Sequence, residues 1–168
     1  MGIQPDIIVC RSERALGQDI KDKIALFCNV PGDHVMQNLD VEYLYEAPLA
    51  MEAEGLAKVA CECLKLECPT PNLDDWKQMV NDLRNPDKEV NIALVGKYTQ
   101  LHDAYISVVE ALKHGGIASH ATVNIKWVDS EHLNGENIQD ILKDTQGIII
   151  PGGFGDRGVE GMILAANY

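Results

Sequence analysis

The sequence predicts an α/β fold organised on parallel sheets, and three observations predict it. Residues 147–150 end in three consecutive isoleucines, Ile148 to Ile150, the composition of a strand buried on both faces. Pro151, which has no N–H for a ladder, closes that run, and Gly152, Gly153, Gly155 and Gly158 follow within seven residues. A glycine-rich turn at the carboxyl end of a parallel strand is where open α/β sheets bind ligands, although a tight strand-to-helix turn asks for the same glycines. Strand-like and helix-like stretches also alternate from residue 90 onward at the spacing of βαβ units, which implies right-handed crossovers.

The bulk numbers bound the function. A chain of 168 residues suits one domain, or one small domain and part of another, and 46% apolar residues allow a sizeable core. The net charge of -12 opposes general binding to nucleic acid or to an anionic membrane, while leaving room for a local basic pocket. No apolar run is long enough for a transmembrane helix, and the first residues lack the basic-then-apolar pattern of a secretory signal. The five cysteines are an odd number. Cys10 and Cys28 fall in apolar, strand-like segments and read as small buried hydrophobes. Cys61, Cys63 and Cys68 lie close together, but a C-x-C spacing turns the first two to different sides of a helix and no further cysteine completes a ligand set, so no zinc site is expected. This usage suits a reducing cytoplasm.

In chain order, residues 7–10 read as a short buried strand ending in Arg11 and Ser12. An arginine just past a strand end offers a fork that matches phosphate oxygens, or is a plain surface residue. Residues 19–23 read as a polar helical stretch, and residues 24–30 as a second buried, strand-like run with no strong helix before it. Residues 34–45 carry scattered apolar side chains in a mixed pattern. Residues 49–66 have helical spacing, broken by Pro69 and Pro71. A shorter helix is expected over 73–83, with Asn72 as N-cap and Asp74 and Asp75 in its first turn. Then come a strand at 90–96, an amphipathic helix at 103–114 stopped by Gly115 and Gly116, an alternating strand at 122–128, a short helix at 137–143 and the isoleucine strand.

Several stretches resemble the CTP synthase family: Gly2-Ile3-Gln4-Pro5-Asp6-Ile7, Cys10-Arg11-Ser12, residues 23–30, Val95-Gly96-Lys97-Tyr98, Asp103-Ala104-Tyr105, residues 110–116 and Pro151-Gly152-Gly153-Phe154-Gly155 with Arg157-Gly158 and Glu160-Gly161. Their order, on either side of a helical segment, makes the resemblance specific over all 168 positions. It implies the end of a P-loop-type amidoligase parallel sheet at residues 1–48, a helical interdomain linker at 49–88, and the first half of a flavodoxin-like class I glutaminase sheet at 89–168. The implied reaction is ATP-dependent amination of UTP to CTP with ammonia from glutamine.

The resemblance also implies roles for particular residues. Lys23 corresponds to a family lysine contacting UTP or the inhibitor CTP, and Arg11 to an arginine near the ATP phosphates. Leu39, Asp40 and Val41 fall on the segment bordering the ATP adenine. Gly153 and Phe154 fall on the glutamine pocket, and Gly152 on the oxyanion hole. Arg157, Gly158 and Glu160 belong to the same loop, near the family's nucleotide-sensing and ammonia-transfer region. Lys97 matches a family lysine of minor weight. ATP and Mg²⁺ serve the complete enzyme, GTP is its effector, and the family assembles as a homotetramer. No metal ligand is expected in this chain. The nucleophilic cysteine and its His and Glu partners are expected beyond Tyr168, so the segment alone is expected to be inactive. A truncated, non-catalytic assembly fragment is the alternative. A generic Rossmann-like nucleotide domain is disfavoured because no Gly-x-Gly-x-x-Gly turn follows residues 90–96. An apolar strand left at a sheet edge is sticky, so the isolated chain is expected to be poorly soluble or oligomeric.

Overall fold

The computed structural model describes residues 2–168. It divides into two compact units, Met1–Val80 and Asn81–Tyr168.

The first unit is built on a βαβ element. Strand β1 (Ile8–Ser12), helix α1 (Gln18–Cys28) and strand β2 (Val35–Leu39) follow one another, and the two strands pair in parallel from Ile8 opposite Val35 to Ser12 opposite Leu39. Val35 and Met36 are buried at 3% and 1% exposure and give this pair its core. Helices α2 (Ala47–Ala53) and α3 (Leu56–Leu64) follow, and then α4 (Asp74–Arg84), in which the division at Val80 falls. Gly55, at φ 83, separates α2 from α3, a left-handed conformation that a side chain would disfavour. The single helical stretch expected over 49–66 is therefore two helices. Trp76 donates its indole N–H to the Tyr45 carbonyl at 2.7 Å. The Asn72 side-chain oxygen accepts from the Asp74 N–H at 3.0 Å, but the Leu73 carbonyl accepts the first helical bond, from Lys77, so Asn72 lies one residue before the cap position expected for it.

Residues 24–30 correct the expected strand. They continue α1 through Cys28, and Asn29 closes the helix in the left-handed region (φ 54), its N–H turned to the carbonyls of Ala25 and Leu26. A seven-residue apolar run has no period of its own to separate strand from helix. As a helix it buries Ala25 and leaves Leu26 and Phe27 at 78% and 87% exposure. The second strand is Val35–Leu39, hidden in the mixed pattern after Pro31.

In the second unit, strands β3 (Lys88–Gly96), β4 (Ala121–Asp129) and β5 (Gly147–Ile149) form a parallel sheet in the order β4-β3-β5. Helix α5 (Ile106–Ala118) connects β3 to β4, α6 (Ile138–Leu142) precedes β5, and α7 (Val159–Ala166) follows the glycine turn. One face of the sheet buries Ala93, Val95 and Val128 against Leu133, Ile138, Leu142 and Ala165. The alternation of strand and helix expected from residue 90 onward is present. Helix α5 does not stop at Gly115 and Gly116, as the sequence suggested, but runs to Ala118. Gly116 is a packing glycine: a Cβ there would lie 2.6 Å from the Ala121 carbonyl oxygen and 2.7 Å from Val123. The chain turns only at His120, at φ 51.

Candidate functional site

The glycine turn leaves the carboxyl end of β5 next to the carboxyl end of β3, because Leu94 pairs with Ile149 and two residues of each strand's continuation bring Lys97 and the turn to the same edge. Lys97 is buried at 7% exposure, and a buried ammonium needs acceptors. Its Nζ donates to the carbonyl oxygens of Phe154 at 2.9 Å and Gly155 at 2.7 Å. Two successive peptide planes of the turn are thereby fixed to β3, and planarity points the N–H groups of Gly155 and Asp156 the other way. Gly152, Gly153 and Phe154 are exposed, Phe154 at 99%. Among the described residues no backbone hydrogen bond engages their N–H groups, so these donors are open to a ligand.

The flanks of the turn are equally determined. The Tyr105 hydroxyl accepts from the backbone N–H groups of Lys97 at 3.0 Å and Tyr98 at 3.4 Å, holding the residue that holds the turn. Arg157 pairs with Glu131 at 2.9 Å, donates to the Lys97 carbonyl at 3.4 Å and lies over the Tyr98 ring at 5.4 Å. Gly155 and Gly158 have φ of 77 and 70, which accounts for two of the four glycines by conformation. Gly158 and Gly161 are also required by space, since a Cβ on either would collide with Ser130. Ser130 is buried at 1% exposure, and its hydroxyl is without a hydrogen-bond partner among the described residues. Gly152 and Gly153 are free of both constraints, with open space or only the Lys97 side chain nearby.

In the first unit the structure gathers most of the residues expected to serve ATP. Arg11 on β1 and Leu39 at the end of β2 lie at one edge of the strand pair. The Arg11 guanidinium forms an ion pair with Asp40 and donates to the Asn38 carbonyl at 3.3 Å. Val41 follows, half-buried. Lys23 stands exposed on α1, and no hydrogen bond or ion pair among the described residues joins it to that edge. No group of three or more His, Cys, Asp or Glu side chains among the described residues gathers to hold a metal. Sequence reasoning gave Lys97 little weight and overlooked Tyr105, Ser130 and Glu131. The available signal for Lys97 was its place directly after a buried strand that ends in glycine.

Comparison with known proteins gives these two edges their context. Residues 1–66 match the family described as CTP synthase N-terminus, and residues 100–168 match glutamine amidotransferase class-I. The CTP synthase of Clostridium kluyveri is 60% identical over all 168 residues, which are 31% of its length. That of Ruminiclostridium cellulolyticum is 55% identical over the whole chain and 32% of its own length, and that of Bacillus velezensis 51% over 31%. The chain thus spans about a third of the length of the curated relatives it matches. The solved glutaminase domain of Trypanosoma brucei CTPS with bound acivicin is 45% identical over 46% of this chain and 31% of its own, at a TM-score of 0.41. Over its whole length this chain is similar to the CTP synthases, with a match to the CTP synthase N-terminus over residues 1–66 followed by a match to class-I glutamine amidotransferase over residues 100–168.

Proposed function

We propose that the chain supplies the seam of a glutamine-hydrolysing CTP synthase of pyrimidine biosynthesis, running from the end of an amidoligase domain (1–48) through a helical linker (49–88) into a class I glutaminase domain (89–168). The observation that carries this reading is the exposed Gly152–Gly153–Phe154 segment that follows β5, directly before the Phe154 and Gly155 carbonyls to which Lys97 donates. Backbone N–H donors open to a ligand suit the acyl step of glutamine hydrolysis, because negative charge develops on the amide oxygen as a thiolate adds. In this reading the Gly152 N–H stabilises that oxyanion, and Gly153 and Phe154 border the bound glutamine. A cysteine thiolate beyond Tyr168 forms the thioester and releases ammonia, and water then frees glutamate.

At the other edge, Arg11 meets the ATP phosphates, and Leu39, Asp40 and Val41 border the adenine. Lys23 contacts the triphosphate of UTP or of CTP. Transfer of the ATP γ-phosphoryl group to O4 of UTP makes a leaving group, and ammonia displaces it as phosphate to give CTP. Mg²⁺ neutralises the triphosphate when bound, and none of the residues named here is proposed as its ligand. GTP as effector, a homotetrameric assembly and a cytoplasmic location belong to the same reading.

The test is a chimera in which residues 1–168 replace the matching stretch of the Clostridium kluyveri relative. CTP formation from UTP and ATP, driven by glutamine and separately by ammonium, is expected to persist. Loss of both activities in a soluble, folded chimera would leave the assembly-fragment reading in its place. The chain alone is expected to make no CTP.

A further inference from the structure

We propose that Asn134 is a modification site: the backbone nitrogen of Gly135 attacks its side-chain amide, ammonia leaves, and water opens the resulting succinimide to aspartate or isoaspartate. Asn134 is the one asparagine of the chain followed by glycine. Every other stands before a residue with a side chain, which crowds the attacking nitrogen. The loop between β4 and α6 presents the pair to solvent: both residues are exposed, and nothing lies within 4 Å of a Cβ placed on Gly135. Among the described residues no hydrogen bond engages the Gly135 N–H, so that nitrogen is free to give up its proton. The Asn134 Oδ1 accepts from the backbone N–H groups of Glu136 at 3.0 Å and Asn137 at 3.1 Å. The side chain is thereby folded over the Gly135 peptide that lies between. Those two donors also sit on the oxygen where negative charge gathers as the nitrogen adds to Cγ.

The chemistry needs only water. The bond from the Gly135 nitrogen to Cγ forms, the bond from Cγ to the side-chain nitrogen breaks, and the Gly135 proton departs with that nitrogen as ammonia. Water then cleaves the five-membered ring on either side of the Gly135 nitrogen. Cleavage at Cγ gives aspartate, and cleavage at the main-chain carbonyl gives isoaspartate, so one asparagine and one water yield one acid and one ammonia. The consequence reaches the core. Leu133 is buried at 5% exposure and packs with Ile138, and Glu131, in the same loop, pairs with Arg157 at 2.9 Å. Aspartate keeps the backbone and adds one negative charge. Isoaspartate inserts a methylene into the chain directly after Leu133, and the Asn134 carbonyl that accepts from the Ile138 N–H at 3.1 Å becomes a free carboxylate. The loop that carries Glu131 therefore holds a clock that runs without any enzyme.

The 168-residue chain, held in mildly alkaline buffer and sampled over time, tests this directly. Peptide mapping is expected to find Asn134 converted before any other asparagine, with both aspartate and isoaspartate present, the latter confirmed by its acceptance of a methyl group from an isoaspartyl methyltransferase. Isoelectric focusing should show a form one charge more acidic than the starting -12. Gly135→Ala has open space and no positive φ to oppose it, and checked for fold by circular dichroism it should slow the conversion about tenfold. The same chain unfolded in guanidinium lacks the two donors to Oδ1 and should convert more slowly than the folded one. An intact Asn134, another asparagine converting first, aspartate without isoaspartate, Gly135→Ala converting as fast, or an unfolded chain converting as fast as the folded one would each overturn the proposal.

Discussion

Lys97 is a single side chain on which the shape of the candidate glutaminase turn depends. Its two carbonyl acceptors lie 57 and 58 positions further along the chain, so no local pattern could have disclosed them. The glycines were legible and the lysine's work was not. In the chimera, Lys97→Met is expected to lower glutamine-driven CTP formation by about 10- to 100-fold, since a turn displaced by a fraction of an ångström misplaces its donors. Ammonium-driven formation, which bypasses the turn, should change little, and a parallel fall in both would sink the assignment. Gly158 provides a second residue-scale expectation. Alanine there meets both a positive φ and the Ser130 side chain, so Gly158→Ala should cost ~1–3 kcal/mol in denaturant unfolding. Ser130→Ala removes a buried hydroxyl without a described partner and should be neutral or stabilising by about 1 kcal/mol.

At the scale of elements, the sequence succeeded where period and length agreed and failed where one of them was missing. Strands β3 and β4 were legible because each is nine residues long and bounded by polar punctuation. Helix α1 was misread from residue 24 onward because its apolar half carries exposed Leu26 and Phe27, and an exposed apolar face erases the amphipathic signal. Helix α5 was ended too early because Gly116 looks like a stop and serves as a contact with Ala121. Between α1, β2 and the end of α2, Glu54 gathers three bonds: from Lys21 Nζ at 2.8 Å, the Gln37 backbone N–H at 3.2 Å and the Gln37 side chain at 3.0 Å. The Lys21 bond chiefly, with Gln37 adding and partial burial opposing, holds the Glu54 carboxyl below its ordinary 4.5. A group lowered in the folded state stabilises above its unfolded value, and that contribution is lost as pH falls through the folded value. Glu54→Gln should therefore narrow the difference in urea midpoint between about pH 7 and about pH 3. An unchanged difference would show that Glu54 does not couple α2 to β2.

At the scale of the whole chain, apolar surface is left open in both units. Leu26 and Phe27 stand out from α1, and β5 is the outer strand of its sheet beside a groove of about 380 Å³ bordered by Ile148, Ile150, Ala165 and Tyr168. The isolated chain is accordingly expected to self-associate with rising concentration. Sedimentation velocity reading a single 18.5 kDa species at every concentration would contradict this. No composition shift marks the division at Val80, which falls inside the stretch 49–88 whose helical pattern reads as a linker between two sheet-bearing parts. The strand lengths of the second unit have a mechanical consequence. β3 holds β4 through nine paired residues and β5 through three. Tension along parallel strands is resisted in shear by the pairs that slide together, so the short seam yields first. The turn can thus be let go while the longer seam stays intact, which makes the donor loop a detachable part of a sheet that persists without it.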